Sequence, residues 1–239
     1  MDRNSTHLVM RLLLSVTLAL ASLSFAPPDS RADTAEVDLV LVLAVDCSFS
    51  VDASEFRLQM QGLADAFRRS DIHNAIRAGE DGRIAVVVMQ WSDVENQQLL
   101  GSWAVLDTPA SALAFAEHIS RSGRKLTAGG TAIGDALRAA ANVLLAAPFG
   151  TDRRVIDISS DGRNNRGDPV TVARDEVVAK GITINGMPIL SEWPTLDTYF
   201  KQQVIGGPNH FMIPISDYNS FATAIAHKLL QEITGPGIS

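Results

Sequence analysis

Three short segments of the chain carry oxygen-bearing side chains that could bind a metal ion. The first segment has the form Asp-x-Ser-x-Ser and supplies Asp46, Ser48 and Ser50, while the other two supply Thr131 and Asp161. Together they offer two carboxylates and three hydroxyls. Hard oxygen ligands without imidazole or thiolate suit Mg²⁺, Mn²⁺ or Ca²⁺ better than Zn²⁺. The alternative is a degenerate site in which these side chains only cap turns.

Predicted strands come just before the first and third of these segments. Residues 37–45 are almost continuously apolar and β-branched, which is typical of a buried parallel strand, and residues 155–159 read as a shorter strand. A helix should begin at Asp52, because Glu55 three residues later completes a capping box. In parallel α/β sheets, ligands bind beyond the carboxyl ends of the strands. The pattern therefore brings all three segments to one edge of a sheet.

The whole pattern of strands and helices predicts an α/β fold. We expect a doubly wound, mostly parallel sheet with helices on both faces and one antiparallel edge strand, in a single domain over residues 33–239. The edge strand is predicted at 98–106, and Asp168 before Pro169 is predicted to cap a helix. The other strands are predicted at 37–45, 84–91, 155–159, 182–189 and 210–214.

The first 32 residues have the features of a secretory signal peptide. Basic residues precede an apolar run over 12–26, and small residues at Ser30 and Ala32 suit a cleavage site. The run is shorter than the roughly 20 residues of a membrane-spanning helix, so we expect no stable membrane span after cleavage. The alternative is an uncleaved N-terminal anchor. The expected location is the periplasm or the extracellular medium.

Composition excludes several classes of protein. The chain has 239 residues, a formal net charge of −7 and a single cysteine, Cys47. Negative charge argues against nucleic-acid binding, and one cysteine excludes an internal disulfide framework. Neither a dinucleotide fingerprint nor a phosphate loop is present, so no nucleotide is expected. In the metal-binding segment, Cys47 is read as a small buried side chain that points away from the ion, although a redox or soft-metal role is the alternative.

The motif and its strand placement resemble a von Willebrand factor A domain that carries a metal-ion-dependent adhesion site. In that family the motif is Asp-x-Ser-x-Ser, a distant Thr and a distant Asp, and it matches Asp46, Ser48, Ser50, Thr131 and Asp161. The resemblance covers essentially all of the chain after residue 32. Segments 153–159 and 181–186 resemble more closely an uncharacterised group of exported bacterial proteins.

The resemblance implies a binding mechanism. Ser48 and Ser50 would bind the metal directly, Thr131 directly or through water, and Asp46 and Asp161 largely through waters and hydrogen bonds. An acidic side chain of a protein partner would then complete an octahedral shell, for which Mg²⁺ is best suited. We expect such a binding module rather than an enzyme.

Two other functions stay open from the sequence. One is a structural or assembly protein whose metal only stabilises the loops, and the other is a metal-dependent hydrolase. Neither a Gly-x-Ser-x-Gly elbow nor a His-Glu-x-x-His motif is present, and no general base beyond the ligands is placed at the loops to support the hydrolase. Loops 92–96, 124–130, 162–168 and 190–195 should surround the site. The side chains expected to contact a partner from these loops are Arg163, Asn164, Asn165 and Trp193.

Overall fold

The computed structural model describes residues 35–235, in which strands and helices alternate along the chain. The strands are β1 (Ala35–Glu36), β2 (Leu39–Asp46), β3 (Ile84–Trp91), β4 (Gln97–Leu99), β5 (Ala104–Leu106), β6 (Phe149–Gly150), β7 (Arg154–Ser160) and β8 (Thr183–Pro188). The helices are α1 (Ala53–Phe67), α2 (Ser70–Arg77), α3 (Pro109–Arg121), α4 (Ile133–Leu145), α5 (Val170–Val178), α6 (Leu196–Tyr199) and α7 (Phe221–Thr234). A π-helical turn, Phe200–Val204, follows α6, and a 3₁₀ turn, Tyr218–Ser220, precedes α7.

The main sheet has β2 at its centre. Its strand order is β4-β3-β2-β7-β8, and β2 pairs in parallel with β3 on one side and β7 on the other. The strands β4 and β5 both run antiparallel to β3 and together form one edge. The predicted mostly parallel sheet with an antiparallel edge is confirmed, although the edge consists of two short strands rather than one strand over 98–106. A separate parallel pair is formed by β1 and β6.

Side chains of β2 alternate between two hydrophobic cores. Leu41 and Leu43 pack with residues of α1, α2, α3 and α7, whereas Val40 and Val42 pack with residues of α4, α5 and α6. Every residue of β2 and β3 is buried, because helices cover both faces of the sheet. This burial explains the nearly continuous apolar sequence of these strands.

The predicted capping box at the start of α1 is present. The Asp52 carboxylate accepts hydrogen bonds from the backbone N–H groups of Ser54 at 2.6 Å and Glu55 at 2.8 Å. The Glu55 carboxylate in turn accepts from the Asp52 N–H at 2.8 Å. This arrangement fixes the direction of the chain directly after the Asp-x-Ser-x-Ser segment.

Two other predicted details were wrong. The helix α5 begins at Val170 without a side-chain cap, because the Asp168 carboxylate pairs instead with Arg138 at 2.8 Å. Residues 210–214 form no strand and join the sheet only through isolated bridges such as Gly186 with Met212. Pro214 lacks the N–H that a continuous ladder would need.

The described residues belong to one compact unit. Within residues 35–235, no helix is both long and apolar enough to cross a bilayer. The predicted signal peptide, residues 1–32, lies outside the described residues.

Candidate metal-binding site

The Asp-x-Ser-x-Ser segment leaves the carboxyl end of β2 as a tight loop, residues 46–50, which we call the metal loop. Asp46 and Ser48 are fully buried, and the Asp46 Oδ1 atom accepts a hydrogen bond from the Ser48 N–H at 2.6 Å. The hydroxyl oxygens of Ser48 and Ser50 lie 3.2 Å apart. Two hydroxyls and one carboxylate are thereby gathered within a single turn of backbone.

The neighbouring strand β7 brings Asp161 to the metal loop. Ser50 donates a hydrogen bond from its hydroxyl to Asp161 Oδ1 at 2.6 Å. Ser160, the last residue of β7, donates its hydroxyl to Asp46 Oδ2. Because β2 and β7 are adjacent and parallel, residues just past their ends meet although more than a hundred positions separate them.

Thr131 reaches the site from the loop before α4. Its side chain is buried, and its Oγ1 atom would lie 3.4 Å from a β-carbon at Gly162, the residue after Asp161. This distance is an ordinary van der Waals contact, so the threonine lies directly beside the Asp161 segment. The Thr131 loop is also tied to the metal loop, since the Phe49 N–H donates to the Gly129 carbonyl at 2.9 Å. The structure thus brings the five predicted metal-binding residues to one edge of the sheet.

Among the described residues, neither carboxylate of the site has a positively charged partner. Burial, and then the nearby charge of Asp161, raise the pKa of Asp46. Burial also raises the pKa of Asp161, and the charge of Glu192 adds to this shift. In the part of the chain that the structure describes, no Lys or Arg side chain forms an ion pair with either carboxylate.

This set of donors fits a hard divalent cation. Two buried carboxylates repel each other, and a bound cation would offset both the repulsion and the cost of burial. The candidate ligands are oxygen atoms alone, as Mg²⁺, Mn²⁺ and Ca²⁺ prefer. Among residues 35–235, no three His, Cys, Asp or Glu side chains cluster in a manner that could hold a metal, so a thiolate or imidazole site is not formed there.

Two residues that the sequence did not indicate support the metal loop. Tyr218 donates its hydroxyl to Asp161 Oδ2 at 3.0 Å, and burial together with Asp161 raises the pKa of this phenol, so that it stays a donor. The Arg124 guanidinium donates to the backbone carbonyls of Val51 at 2.8 Å and Ser48 at 3.3 Å. Both contacts join distant parts of the chain, and no sequence pattern signals them.

Cys47 lies in the metal loop but does not share its chemistry. The thiol is fully buried in the core beside α1, and the backbone N–H of Cys47 donates to the Trp91 carbonyl at 2.7 Å. Burial, and then the charge of Asp46, raise the pKa of Cys47 to about 12. The interpretation as a small packing residue agrees with this environment.

The residues predicted to contact a partner differ in their surroundings. Asn165 accepts from the Thr131 N–H at 2.8 Å, and Asn164 donates to the Arg166 carbonyl at 2.8 Å, so both amides hold loops together. Arg163 is exposed and stacks 5.3 Å from the ring centroid of Trp193. Phe49 was not among the residues predicted to contact a partner, yet it is the most exposed large hydrophobic side chain among the described residues.

The chain has the fold of von Willebrand A domains, a mostly parallel sheet between helices. Among solved structures, proximal thread matrix protein 1 from the mussel byssus is similar at 14% identity with a TM-score of 0.62, over 84% of this chain and 49% of that one. A second structure of that mussel protein has a zinc-occupied metal-ion-dependent adhesion site. A von Willebrand factor type A protein from Catenulispora acidiphila matches at 19% identity and a TM-score of 0.55, over 82% of this chain and 43% of that one.

The conserved hypothetical protein BatB from Bacteroides thetaiotaomicron is also similar, at 16% identity and a TM-score of 0.55, over 82% of this chain and 100% of that one. The chain spans about half the length of the mussel structure. No curated protein sequence matches it. The chain belongs to the family described as "Protein of unknown function (DUF1194)", whose model matches residues 36–237.

Proposed function

We propose that the protein is an exported binding module that grips an acidic group of a protein partner through a divalent cation. The observation that carries this proposal is the pair of buried carboxylates, Asp46 and Asp161. They accept hydrogen bonds from the hydroxyls of Ser50, Ser160 and Tyr218 and have no basic side chain as a partner among the described residues. Burial and mutual repulsion destabilise two ionised carboxylates at such a site, and a bound cation would stabilise them.

Ser48, Ser50 and Thr131 would supply neutral hydroxyl ligands, while Asp46 and Asp161 would orient them and bind through waters. When bound, the cation supplies a positive centre for an incoming carboxylate. Mg²⁺ is the proposed ion, because it keeps several waters and accepts an octahedral shell of oxygens. Ser50, Thr131 and Gly162 line an open cleft, which supports access for a partner.

Binding is favoured over hydrolysis by the surroundings of the site. One ring nitrogen of each of His73, His118 and His210 bonds to a backbone carbonyl, and no histidine is among the described residues that line the cleft beside the metal loop. A general base must lie within hydrogen-bond reach of the proton that it removes. Turnover of phosphate or ester substrates that is lost in Asp161→Ala would contradict a role confined to binding.

We further propose export to the periplasm or the extracellular medium, which the predicted signal peptide at residues 1–32 supports. The mussel structure is named as a thread matrix protein, so a structural role is the second candidate. In that role the metal stabilises the loops without touching a partner.

The experiment is affinity capture from periplasmic and secreted proteins, followed by binding assays with each purified partner. Wild type and Ser48→Ala are compared with Mg²⁺ and with EDTA, and cross-linking locates the contact surface. We expect binding that requires both Mg²⁺ and Ser48, with cross-links around the metal loop. Equal binding by Ser48→Ala in EDTA would refute the proposal, and cross-links that avoid this face would favour the structural role.

A further inference from the structure

A cleft of about 1120 Å³ opens beside the metal loop. Ser50, Thr131 and Gly162 lie on its wall, together with the aromatic side chains of Phe49 and Trp193. A partner that reaches the metal must therefore also contact this wall. The chemistry of the wall indicates what else the partner carries.

Phe49 is 84% exposed and Trp193 is 48% exposed. Single exposed apolar residues are common on protein surfaces, but these two aromatics share one cleft with the candidate metal-binding residues. Phe49 is also held in place, because its N–H donates to the Gly129 carbonyl at 2.9 Å and the buried Ser48 precedes it. Covering such side chains on binding would remove a large apolar area from water.

The same cleft contains a fixed cation that has no counter-ion among the described residues. The Arg163 guanidinium lies 5.3 Å from the Trp193 ring centroid and 5.5 Å from that of Tyr199, and it donates to the Thr195 hydroxyl at 2.8 Å. Within residues 35–235, no carboxylate pairs with Arg163. A guanidinium held in this way is pre-organised to receive a carboxylate.

Three other charged side chains line the cleft, namely Asp93, Arg166 and Glu192. Arg166 lies against Gly130, and its charge helps to lower the pKa of Asp93, so this guanidinium acts on a carboxylate of the protein itself. The Asp93 carboxylate accepts from the Gly130 N–H at 2.8 Å and the Val94 N–H at 2.8 Å, and these bonds lower the pKa of Asp93. Glu192 raises the pKa of Asp161, so its charge acts on the metal-binding side of the cleft. Arg163 is thus the positive group best placed to bind a second acidic side chain.

We propose that the partner presents a protein segment with two acidic side chains and an apolar one. One carboxylate reaches the metal, the second pairs with Arg163, and the apolar side chain packs on Phe49 and Trp193. This inference rests on the proposed function and specifies the partner's chemistry. It makes Phe49, Trp193 and Arg163 specificity residues that need not contribute to metal binding.

The test is a selection of random 12-residue peptides on phage, with protein purified from cells that express the full sequence. Phage bind in Mg²⁺ and are eluted with EDTA. We expect the eluted peptides to contain two acidic residues and a neighbouring Leu, Phe or Trp. Phe49→Ser, Trp193→Ala and Arg163→Gln should each weaken a selected synthetic peptide about tenfold, which corresponds to about 1.4 kcal/mol.

Two controls separate this surface from the metal. Thermal unfolding of each variant with Mg²⁺ should show the same stabilisation as wild type, because the metal-binding residues are intact. Val172→Ser removes an apolar side chain on α5 that is as exposed as Trp193 and lies outside the residues that line the cleft. This variant should leave peptide binding unchanged.

Each outcome has a distinct meaning. This inference would be overturned, with the proposed function left intact, by either of two results. One is that the EDTA-eluted peptides contain acidic residues but no enrichment of apolar ones. The other is that Phe49→Ser and Trp193→Ala bind the selected peptide as well as wild type does. No EDTA-eluted peptide, despite a Mg²⁺-dependent rise in Tm, would overturn both. If an acidic polysaccharide such as polygalacturonate bound in Mg²⁺ more tightly than the selected peptide, the occupant would not be a protein segment and this inference would be overturned.

Discussion

Replacing Asp161 with asparagine separates the effect of the metal from the packing of the site. In Asp161→Asn, the new amide would keep hydrogen bonds with Ser50 and Tyr218, because it offers both an acceptor and a donor to the two hydroxyls. The substitution removes one of two buried charges that repel each other. We therefore expect Asp161→Asn in EDTA to unfold at or above the wild-type temperature.

The effect of Mg²⁺ should differ sharply between the two proteins. A ligand that binds only the folded state stabilises it by about 2.7 kcal/mol at a hundred times its Kd. For a domain of about 200 residues, 1 kcal/mol changes Tm by roughly 2–4 °C, so wild type should gain about 5–10 °C. Asp161→Asn should gain almost nothing, because it lacks the charge that attracts the cation.

Thermal unfolding followed by circular dichroism measures all four conditions. Asp175→Asn is the matched control, since it removes an exposed carboxylate on α5 that pairs only with Arg174 among the described residues. It should retain the full Mg²⁺ effect. An equal Mg²⁺-induced rise in wild type and Asp161→Asn would refute the assignment of Asp161, and a large loss of stability of this variant in EDTA would refute the argument from charge repulsion.

Three further results are expected. Arg124→Met removes hydrogen bonds to the Ser48 carbonyl in the metal loop and to the Val51 carbonyl just after it, and should destabilise the protein by about 1–3 kcal/mol in denaturant titrations. Burial, and then Asp157, raise the pKa of Glu232 far above its ordinary value of 4.5. The folded state thus holds this proton more tightly, and the stability gained is lost as the pH rises toward neutrality. Glu232→Gln should flatten that decline in a pH series of Tm values. Native Cys47 should not react with a thiol reagent, because the thiol is buried and its pKa is about 12.

Each of these results has a contrary outcome. An Arg124→Met protein as stable as wild type would mean that the two carbonyl contacts contribute nothing. Parallel pH profiles for wild type and Glu232→Gln would contradict a raised pKa of Glu232. Rapid labelling of Cys47 before denaturation would mean that the metal loop opens in solution.

The sheet and the meeting of the five candidate residues could be predicted because both follow from local patterns. The short apolar, β-branched run over 37–45 is typical of a strand covered on both faces, and the capping box at Asp52 marks where the next helix starts. Parallel strands then bring their carboxyl ends to one edge. By contrast, α2 was not predicted. Its buried Ile72, His73 and Ile76 lie on one face, but the helix has only eight residues and most of them are polar.

The supporting contacts of the site could not be predicted, because they join distant segments. Tyr218 bonds to a carboxylate 57 positions away, and Arg124 reaches carbonyls more than 70 positions away. Phe49 illustrates a different difficulty. Apolar residues usually pack inside, and only the path of the metal loop, with Ser48 buried and Phe49 turned outward, reveals its exposure.

Direct measurement of bound Mn²⁺ tests the central claim, that Asp46, Ser48, Ser50, Thr131 and Asp161 bind one divalent cation. Free Mn²⁺ is read from its electron paramagnetic resonance signal during titration with the purified protein. We predict one bound Mn²⁺ per wild-type chain, competition by Mg²⁺, and loss of binding in Asp161→Asn while that variant stays folded. The claim would be contradicted if folded wild-type protein left all Mn²⁺ free. Equal Mn²⁺ binding by wild type and Asp161→Asn would also contradict it.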